Sequence, residues 1–215
     1  MAETEANTPR ERYRTQVRTE IKQHAWEQIA TAGASALSLN AIAKQMGMSG
    51  PALYRYFAGR DELITELIRD AYRSMADAVR VAFEGGADVA ETARAMRRWA
   101  LADPQRYLLI YGTPVPGYHA PDDITAISAE IMTTLLDVWS ARPPAEHATT
   151  ALEARLARHR RWAGEHPAPP AVLHRALIFW TRLHGVLSLE LAGHFVGMEF
   201  DPELLFEAEI AALRV

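Results

Sequence analysis

Cysteine is absent from the 215 residues, which excludes a disulfide framework, a thiolate metal site and a cysteine nucleophile. Long apolar runs are absent too, since no stretch approaches the ~18 apolar residues that a membrane helix needs. The opening residues, MAETEANTPRERYRTQ, lack the apolar centre of a signal peptide. We therefore expect a soluble, cytoplasmic protein without a membrane partner.

Motifs of the common enzyme classes are also missing. The chain has no GxGxxG, no P-loop, no HExxH and no GxSxG. Glu190 and His194 can share a helix face at a spacing of i, i+4, but the further ligand that Zn²⁺ requires is not evident. We expect no catalytic residue, no metal and no cofactor. An all-α enzyme built on scattered Glu and His side chains stays the weakest alternative.

The charges of the chain are unevenly distributed. The net charge is −4, yet residues 1–60 have a net charge of +3 and the remainder a net charge of −7. A basic segment on an acidic body is typical of a polyanion contact confined to that segment. A chance imbalance is the alternative. A second basic run, residues 155–164, is interpreted as a solvated helix face.

Only helical periodicity is visible along the chain. Residues 10–33 have apolar residues at spacings of three and four, which predicts an amphipathic helix. Ser38 is a candidate cap for a short second helix that ends at Gly47. Ser49 is a candidate cap for a third, and we expect its hydroxyl to accept from the Ala52 amide. Further helices are predicted at residues 61 to about 85, 88–102, 104–112, 122–140, 145–164, 168–195 and 201–213, with a proline-rich loop at 112–121.

The third helix, residues 49–57, is unusually aromatic for so short an element. Leu53 and Phe57 have the i, i+4 spacing that would pack them on the first two helices. Tyr54 and Tyr56 then point to the exposed side, where a phenol can donate to a phosphate oxygen. Two short helices braced by a longer one form a helix-turn-helix, whose second helix enters the major groove of DNA. The alternative is that both tyrosines only fill the protein interior.

The run LSLNAIAKQMGMSGPALYRYFAGRDELITELI resembles the DNA-binding domain of TetR-family transcriptional regulators, and the resemblance extends over residues 15–74. The matching positions are Ile42-Ala43, Gly47 and Ser49, Tyr54-Tyr56-Phe57, Arg60, and Asp61-Glu62-Leu63. The resemblance implies an all-α fold in two parts. A three-helix helix-turn-helix DNA-binding domain would occupy residues 10–60, and a larger helical ligand-binding and dimerisation domain residues 61–215.

The resemblance also implies which side chains contact DNA. Positions that commonly contact phosphates or bases in the family correspond here to Ser38, Ser49, Gly50, Tyr54, Tyr56 and Arg60. Arg60 stands where the family usually has lysine, which keeps the charge. Because Gly50-Pro51-Ala52 offers little base-reading chemistry, we expect sequence specificity to rest on the Ala52 methyl group, Arg55 and Tyr54.

A weaker resemblance lies near the C-terminus. Trp180, His184 and Gly185 are similar to a Trp-His-Gly signature in the regulatory domain of one TetR subgroup, which implies a dimer element or a pocket wall. A packed helix with a satisfied core histidine is the alternative. The candidates for an apolar effector pocket are Trp99, Tyr107, Tyr111, Trp139, Trp180 and His184. Ordinary core packing explains each aromatic side chain about as well.

The helix predicted at 168–195 has two adjacent apolar rows. Their combined face is wide enough for both the protein core and a partner. A two-fold dimer would also suit a palindromic DNA site. We expect a homodimer that makes contact through Leu173, Leu177, Leu187 and Leu191. A purely internal helix is the alternative.

These patterns together predict a DNA-binding transcriptional regulator. By resemblance it is a repressor, released from a palindromic double-stranded operator when an unknown small-molecule effector binds the larger domain and moves the fourth helix. The main alternative is a helical scaffold that binds only protein, which would leave Tyr54, Tyr56 and Arg60 unexplained.

Overall fold

The structure is a computed structural model that describes residues 8–112, 114–141 and 148–213. Every regular element in these residues is a helix, so the prediction of an all-α fold is confirmed for the described chain. The α-helices are α1 (Pro9–Ala32), α2 (Leu39–Gln45), α3 (Gly50–Leu53), α4 (Arg60–Glu84), α5 (Val89–Ala102), α6 (Pro104–Tyr111), α7 (Asp122–Ser140), α8 (Ala151–Arg158), α9 (Pro170–Leu191) and α10 (Pro202–Leu213).

The described residues fall into two compact units. The first, called the head, comprises residues 8–67 together with 114–119. The second, called the body, comprises the other described residues. The division falls within α4, between Leu67 and Ile68, so that one continuous helix contributes residues to both units.

The interior of the head forms as the periodicity predicts. The apolar stripe of α1 is buried, and it packs with α2, which in turn packs with α3. Burial of these aliphatic and aromatic side chains is the main favourable term in the stability of so small a unit. The buried residues are Val17, Ile21, Ala25, Ile29, Leu39, Ile42, Leu53 and Phe57.

The interior of the body is built around α9. This helix contacts α5, α6, α7, α8 and α10, and its residues Phe179 and Leu183 are fully buried. The other elements contribute further buried side chains to the same core, among them Met75, Val79, Met96, Leu135, Leu136, Leu173, Leu187, Phe206 and Ile210.

The helix predicted at 145–164 is shorter in the structure. Of its predicted residues, 145–147 lie outside the described chain, and α8 ends at Arg158. The chain then passes close to α7 at Gly164, which has a φ of +59°. A Cβ atom there would lie 2.7 Å from the Thr133 hydroxyl oxygen. Helix α8 ends before this approach, because the backbone at His159 has left the helical region with φ of −130° and ψ of 80°.

The helix predicted at 168–195 also ends early. Helix α9 stops at Leu191, and turns follow that include Gly193 and Gly197 with φ of +78° and +84°. These left-handed backbone conformations suit glycine and redirect the chain toward α10.

Two of the four residues expected at a dimer contact lie in the interior of the protomer. Leu173 is 0% exposed and Leu187 is 1% exposed, while Leu177 and Leu191 are half-buried against the same core. A side chain enclosed by its own protomer cannot contact a second one. Leu173 and Leu187 therefore do not form the expected dimer contact, because the body's own helices cover that side of α9.

Candidate DNA interface and effector site

Helices α2 and α3 form the predicted helix-turn-helix. Ser38 caps α2, since its hydroxyl accepts from the Ala41 amide at 3.3 Å. The turn passes through Gly47, whose φ of +64° favours glycine. The Met48 amide then donates to the Ala43 carbonyl at 2.8 Å. These contacts fix the connection that places α3 beside α2.

The start of α3 differs from the prediction. The Ser49 hydroxyl accepts no capping hydrogen bond, because the Ala52 amide donates instead to the Ser49 carbonyl at 2.9 Å. The expected side-chain cap is therefore wrong. Helix α3 is also shorter than the predicted 49–57, since it gives way after Leu53 to turns that reach Tyr56.

The side chains of this segment separate into two faces. Leu53 and Phe57 are fully buried, as their spacing predicted. Tyr54 is 48% exposed and Arg55 is exposed, whereas Tyr56 is half-buried. A phenol and a guanidinium therefore project together from a segment whose neighbouring side chains anchor it in the head. Of the remaining candidates, Ser49 is exposed and Ser38, Gly50 and Ala52 are partly exposed.

Arg60 is held within the head. Its guanidinium donates to the carbonyl oxygens of Ala34 and Ser35 at 3.0 and 3.3 Å, and it lies 3.6 Å from the Asp61 carboxylate. No sequence pattern indicates these bonds, because residues 34 and 35 belong to a short 3₁₀ turn that the periodicity does not predict. The cation thus braces the chain just before α2.

Arg18 is a residue that sequence reasoning missed. It lies on α1, donates to the carbonyl oxygen of Tyr56 at 2.5 Å and stacks over the Phe57 ring at 4.2 Å. Its guanidinium is also 3.4 Å from the Glu66 carboxylate. The only signal was its place at the edge of the buried stripe, directly after Val17. Arg18 thus positions the end of residues 50–57, which we call the α3 segment.

In the body, four of the six predicted effector residues come together, and we call them the aromatic cluster: Tyr107, Tyr111, Trp180 and His184. The His184 ring lies 4.2 Å from that of Tyr111, 4.1 Å from that of Trp180 and 5.6 Å from that of Tyr107, measured between ring centres. Helices α6 and α9 supply these side chains. The spacing is that of aromatic packing, which stabilises the contact beyond burial alone.

The other two effector candidates lie elsewhere in the body. The Trp99 indole donates to the Ser74 hydroxyl at 3.0 Å and borders an open groove of about 390 Å³. Trp139 packs edge-on against Phe179 with Arg175 4.7 Å above its ring. Among the described residues, no ring contact joins either tryptophan to the aromatic cluster.

A buried polar centre lies inside the aromatic cluster. The Tyr107 hydroxyl oxygen is 3.0 Å from His184 Nδ1 and 2.9 Å from the Ser188 hydroxyl oxygen. His184 Nε2 is buried and has no hydrogen-bond partner among the residues described. Burial lowers the pKa of His184 to about 3, so the ring is neutral near pH 7. Ser188 was missed, although it follows His184 by four residues on the same helix face.

The aromatic cluster also contacts α4. The Tyr111 hydroxyl donates to the sulfur of Met75 at 3.5 Å, and the ring of Tyr72 meets that of Tyr111 edge-on at 6.0 Å. Burial raises the pKa of Tyr111 well above its ordinary value, so this phenol stays neutral. Tyr111 thus joins α6 to α4 within the body.

Within the described residues, no group of three or more His, Asp or Glu side chains is arranged to hold a metal ion. None of the helices in the described ranges is both long enough and apolar enough to cross a lipid bilayer.

Comparison with known families identifies the fold. Residues 21–67 match the family described as bacterial regulatory proteins, tetR family. Residues 89–213 match the tetracyclin repressor-like C-terminal domain. The chain belongs to the TetR family. It is accordingly a DNA-binding transcriptional regulator, and the resemblance of its N-terminal helices to that family is confirmed.

Individual relatives are similar to this protein over nearly the whole chain. The HTH-type transcriptional regulators Mb1846 of Mycobacterium bovis and Rv1816 of Mycobacterium tuberculosis are each 35% identical, with 93% of this chain and 92% of theirs covered. The crystal structure of SCO4313 superposes with a TM-score of 0.89, and its sequence is 70% identical. The match covers 96% of this chain and 98% of that one. A protein of unknown function from Rhodococcus sp. RHA1, 20% identical with a TM-score of 0.64 and coverage of 100% and 98%, shares the fold.

Proposed function

We propose that this regulator is a repressor that binds a palindromic DNA operator as a homodimer and is released by a small-molecule effector. The observation that carries the DNA contact is the pair Tyr54 and Arg55, which is exposed while Leu53 and Phe57 anchor the same segment. Arginine can donate two hydrogen bonds to guanine in the major groove, and a tyrosine hydroxyl can donate to a phosphate. We expect the protein to act in the cytoplasm, where bacterial DNA is accessible.

The other proposed DNA contacts surround this pair. They are Ser38, Ser49, Gly50, Ala52, Tyr56 and Arg60. Arg60 must contact DNA while it keeps its bonds within the head, because its guanidinium already donates to the carbonyl oxygens of Ala34 and Ser35. Guanidinium has five N–H donors, so Arg60 can keep these two bonds and still donate to a phosphate.

The effector is proposed to bind at the aromatic cluster. A buried polar atom without a partner is unfavourable by about 1–3 kcal/mol, and His184 Nε2 is such an atom. A ligand that supplies one hydrogen-bonding atom there and apolar surface to Tyr111 and Trp180 would remove that cost. Because the imidazole and the Tyr111 phenol are both neutral, the cluster itself offers no charge to an ionic ligand. We infer a neutral and largely apolar effector.

Helix α4 is proposed to carry the signal. The effector would displace Tyr111, which contacts Tyr72 and Met75 on α4, and the first eight residues of that helix belong to the head. An effector shifts an equilibrium only if it binds one state better than the other. The effector must therefore favour a form of the body that binds DNA weakly.

The homodimer is proposed to form through a face of α9 and α10 that the protomer leaves exposed. Its side chains are uncharged and small or apolar. At Gly185 a Cβ atom would meet no described atom within 4 Å, so packing inside the protomer does not require glycine there. Two such helix pairs can associate as a four-helix bundle. The face comprises Thr181, Gly185, Leu189, Leu204, Ala208 and Ala211.

Selection of DNA from a pool of random duplexes tests the proposal. The purified protein should enrich a sequence with two inverted half-sites, spaced by a whole number of helical turns. Compounds that are neutral and apolar are then screened for release of that duplex. Because coupling between two sites is reciprocal, an effector that weakens DNA binding by about 5- to 150-fold must itself bind that much more weakly to the DNA complex. Failure to enrich any sequence would contradict DNA recognition. An effector that binds with equal affinity in the presence and absence of DNA would contradict release.

A further inference from the structure

Helix α1 begins well before the interior of the head. Residues 8–16 are all exposed, and the first buried residue is Val17. The segment is nevertheless helical, and its start is closed by a capping box in which the Thr8 amide donates to the Glu11 carboxylate at 2.7 Å. Two turns of ordered helix thus extend beyond the core. We call residues 9–16 the basic overhang.

The overhang carries its charge on an unexpected side. With 100° per residue, Arg10, Tyr13 and Arg14 lie within about 60° of Val17 around the helix axis. This is the side on which α1 is buried further along the chain. An arginine that only keeps the protein in solution is expected on the opposite side, where Arg12 lies. Basic side chains therefore continue the head-facing stripe past the end of the core.

The last residue of the overhang, Gln16, is two positions before Arg18, which contacts the end of the α3 segment. Arg18 donates to the carbonyl oxygen of Tyr56, and Arg14 precedes Arg18 by four residues, about 6 Å along the helix axis, on nearly the same side. Among the residues described, the side chains of Arg10 and Arg14 have no ion pair or hydrogen bond. Arg14 thus lies about 40° around the helix axis from Arg18 and Arg10 about 80°, and neither cation is paired within the described chain.

We propose that the basic overhang is a second DNA contact, in which Arg10 and Arg14 bind backbone phosphates beside the site of Tyr54 and Arg55. Guanidinium binds phosphate through paired, charge-assisted hydrogen bonds. Such contacts hold the protein on the duplex without reading its sequence. This inference rests on the proposed DNA binding and assigns it further residues on α1.

The test compares two double variants from which the same charge is removed. Arg10→Ala/Arg14→Ala removes the overhang cations, and Arg155→Ala/Arg158→Ala removes two exposed arginines from α8. The dissociation constant is measured against salt concentration for the selected duplex and for a duplex of random sequence. The overhang variant should bind both duplexes more weakly by a similar factor, and its slope of log K against log salt should fall by about 0.9 for each phosphate that is no longer neutralised. The α8 variant should match the wild type.

Each alternative result has a distinct meaning. An overhang variant with wild-type affinity and salt slope would overturn this inference and leave the proposed function intact, provided that the wild type binds DNA. Weaker binding confined to the selected duplex would also overturn it, since phosphate contacts act on every sequence. Failure of the wild type to bind DNA would overturn the proposed function itself. Arg10→Lys/Arg14→Lys, which keeps the charge, should retain most of the affinity, and unfolding curves show that each variant is folded.

Discussion

Arg18 on α1 donates to the carbonyl oxygen of Tyr56 at 2.5 Å and lies over the ring of Phe57 at 4.2 Å. One guanidinium thereby satisfies a main-chain acceptor and covers a buried aromatic ring at the end of the α3 segment. Tyr54 and Arg55 belong to the same segment, so we expect this contact to hold in place the part of the chain that carries them.

Replacement of Arg18 by alanine should destabilise the head. Hydrogen bonds to charged groups contribute about 1.5–3 kcal/mol, so the free energy of unfolding should fall by roughly that amount, and DNA affinity should fall with it. Arg12→Ala is the matched control, because Arg12 is exposed on the same helix. Urea unfolding followed by circular dichroism measures both variants. A decrease for Arg18→Ala no larger than that for Arg12→Ala would show that the contact has no stabilising role.

Two glutamate substitutions distinguish a residue of the proposed dimer face from a residue of the core. Leu204 is 67% exposed in the protomer, so Leu204→Glu should leave the helices folded while it breaks the dimer, because a carboxylate in an apolar interface is unfavourable. Leu187→Glu should instead unfold the body, since Leu187 is interior. Light scattering gives the molar mass and circular dichroism the helix content. Leu152→Glu, at an exposed position on α8, is the control that should stay dimeric. A dimeric Leu204→Glu protein would exclude this face.

His184 should make the protein sensitive to acid. Its pKa is lowered by burial to about 3 from an ordinary value of 6.5, so on acidification the unfolded chain takes up the proton first. The neutral ring therefore makes its full contribution to the free energy of unfolding above about pH 6.5. That contribution is lost as the pH falls toward 3, at up to about 1.4 kcal/mol per pH unit. His184→Gln cannot titrate and should show a shallower decrease of unfolding free energy between about pH 6 and pH 4. Identical slopes for the two proteins would contradict the buried, neutral state of His184.

Arg97 joins α5 to two glutamates of different exposure, which offers an internal comparison. Its guanidinium is 2.7 Å from the Glu190 carboxylate and 3.4 Å from that of Glu203. The Glu190 side chain is 13% exposed and that of Glu203 is 61% exposed. Glu190→Gln leaves a cation that is only 14% exposed poorly paired, so it should lower the free energy of unfolding by about 3 kcal/mol. Glu203→Gln should lower it by at most about 1 kcal/mol. Thermal unfolding measures both variants, and equal decreases of the unfolding free energy would show that burial does not set the strength of the ion pair.

The parts of the fold that could be predicted are those set by neighbours along the chain. The spacing of Leu53 and Phe57 identified the buried face of the α3 segment. The assignment of Tyr54 to the exposed side is also confirmed, whereas Tyr56, assigned to the same side, is half-buried. Glycine and proline located most helix ends to within a few residues. Such signals are local, so they can be interpreted without knowledge of the tertiary packing.

The parts that could not be predicted depend on contacts between distant residues. An apolar row shows that a helix face is covered but not what covers it, and for this reason Leu187 was assigned to a partner rather than to the core. The Ser49 cap was displaced by a main-chain bond, and the bonds of Arg60 depend on a turn 25 residues earlier. Tyr107 and His184 are 77 residues apart, so their hydrogen bond has no local signature.

The most direct test of the account is the affinity of Arg55→Ala for the selected duplex, measured by fluorescence anisotropy beside the wild type and Arg155→Ala. Arg55 and Arg155 are both exposed, and the same charge is removed in each variant. Removal of a base or phosphate contact of about 1–3 kcal/mol predicts at least about a fivefold weaker complex for Arg55→Ala and no change for Arg155→Ala. Equal affinity of all three proteins would contradict the central claim that the exposed side of the α3 segment binds DNA.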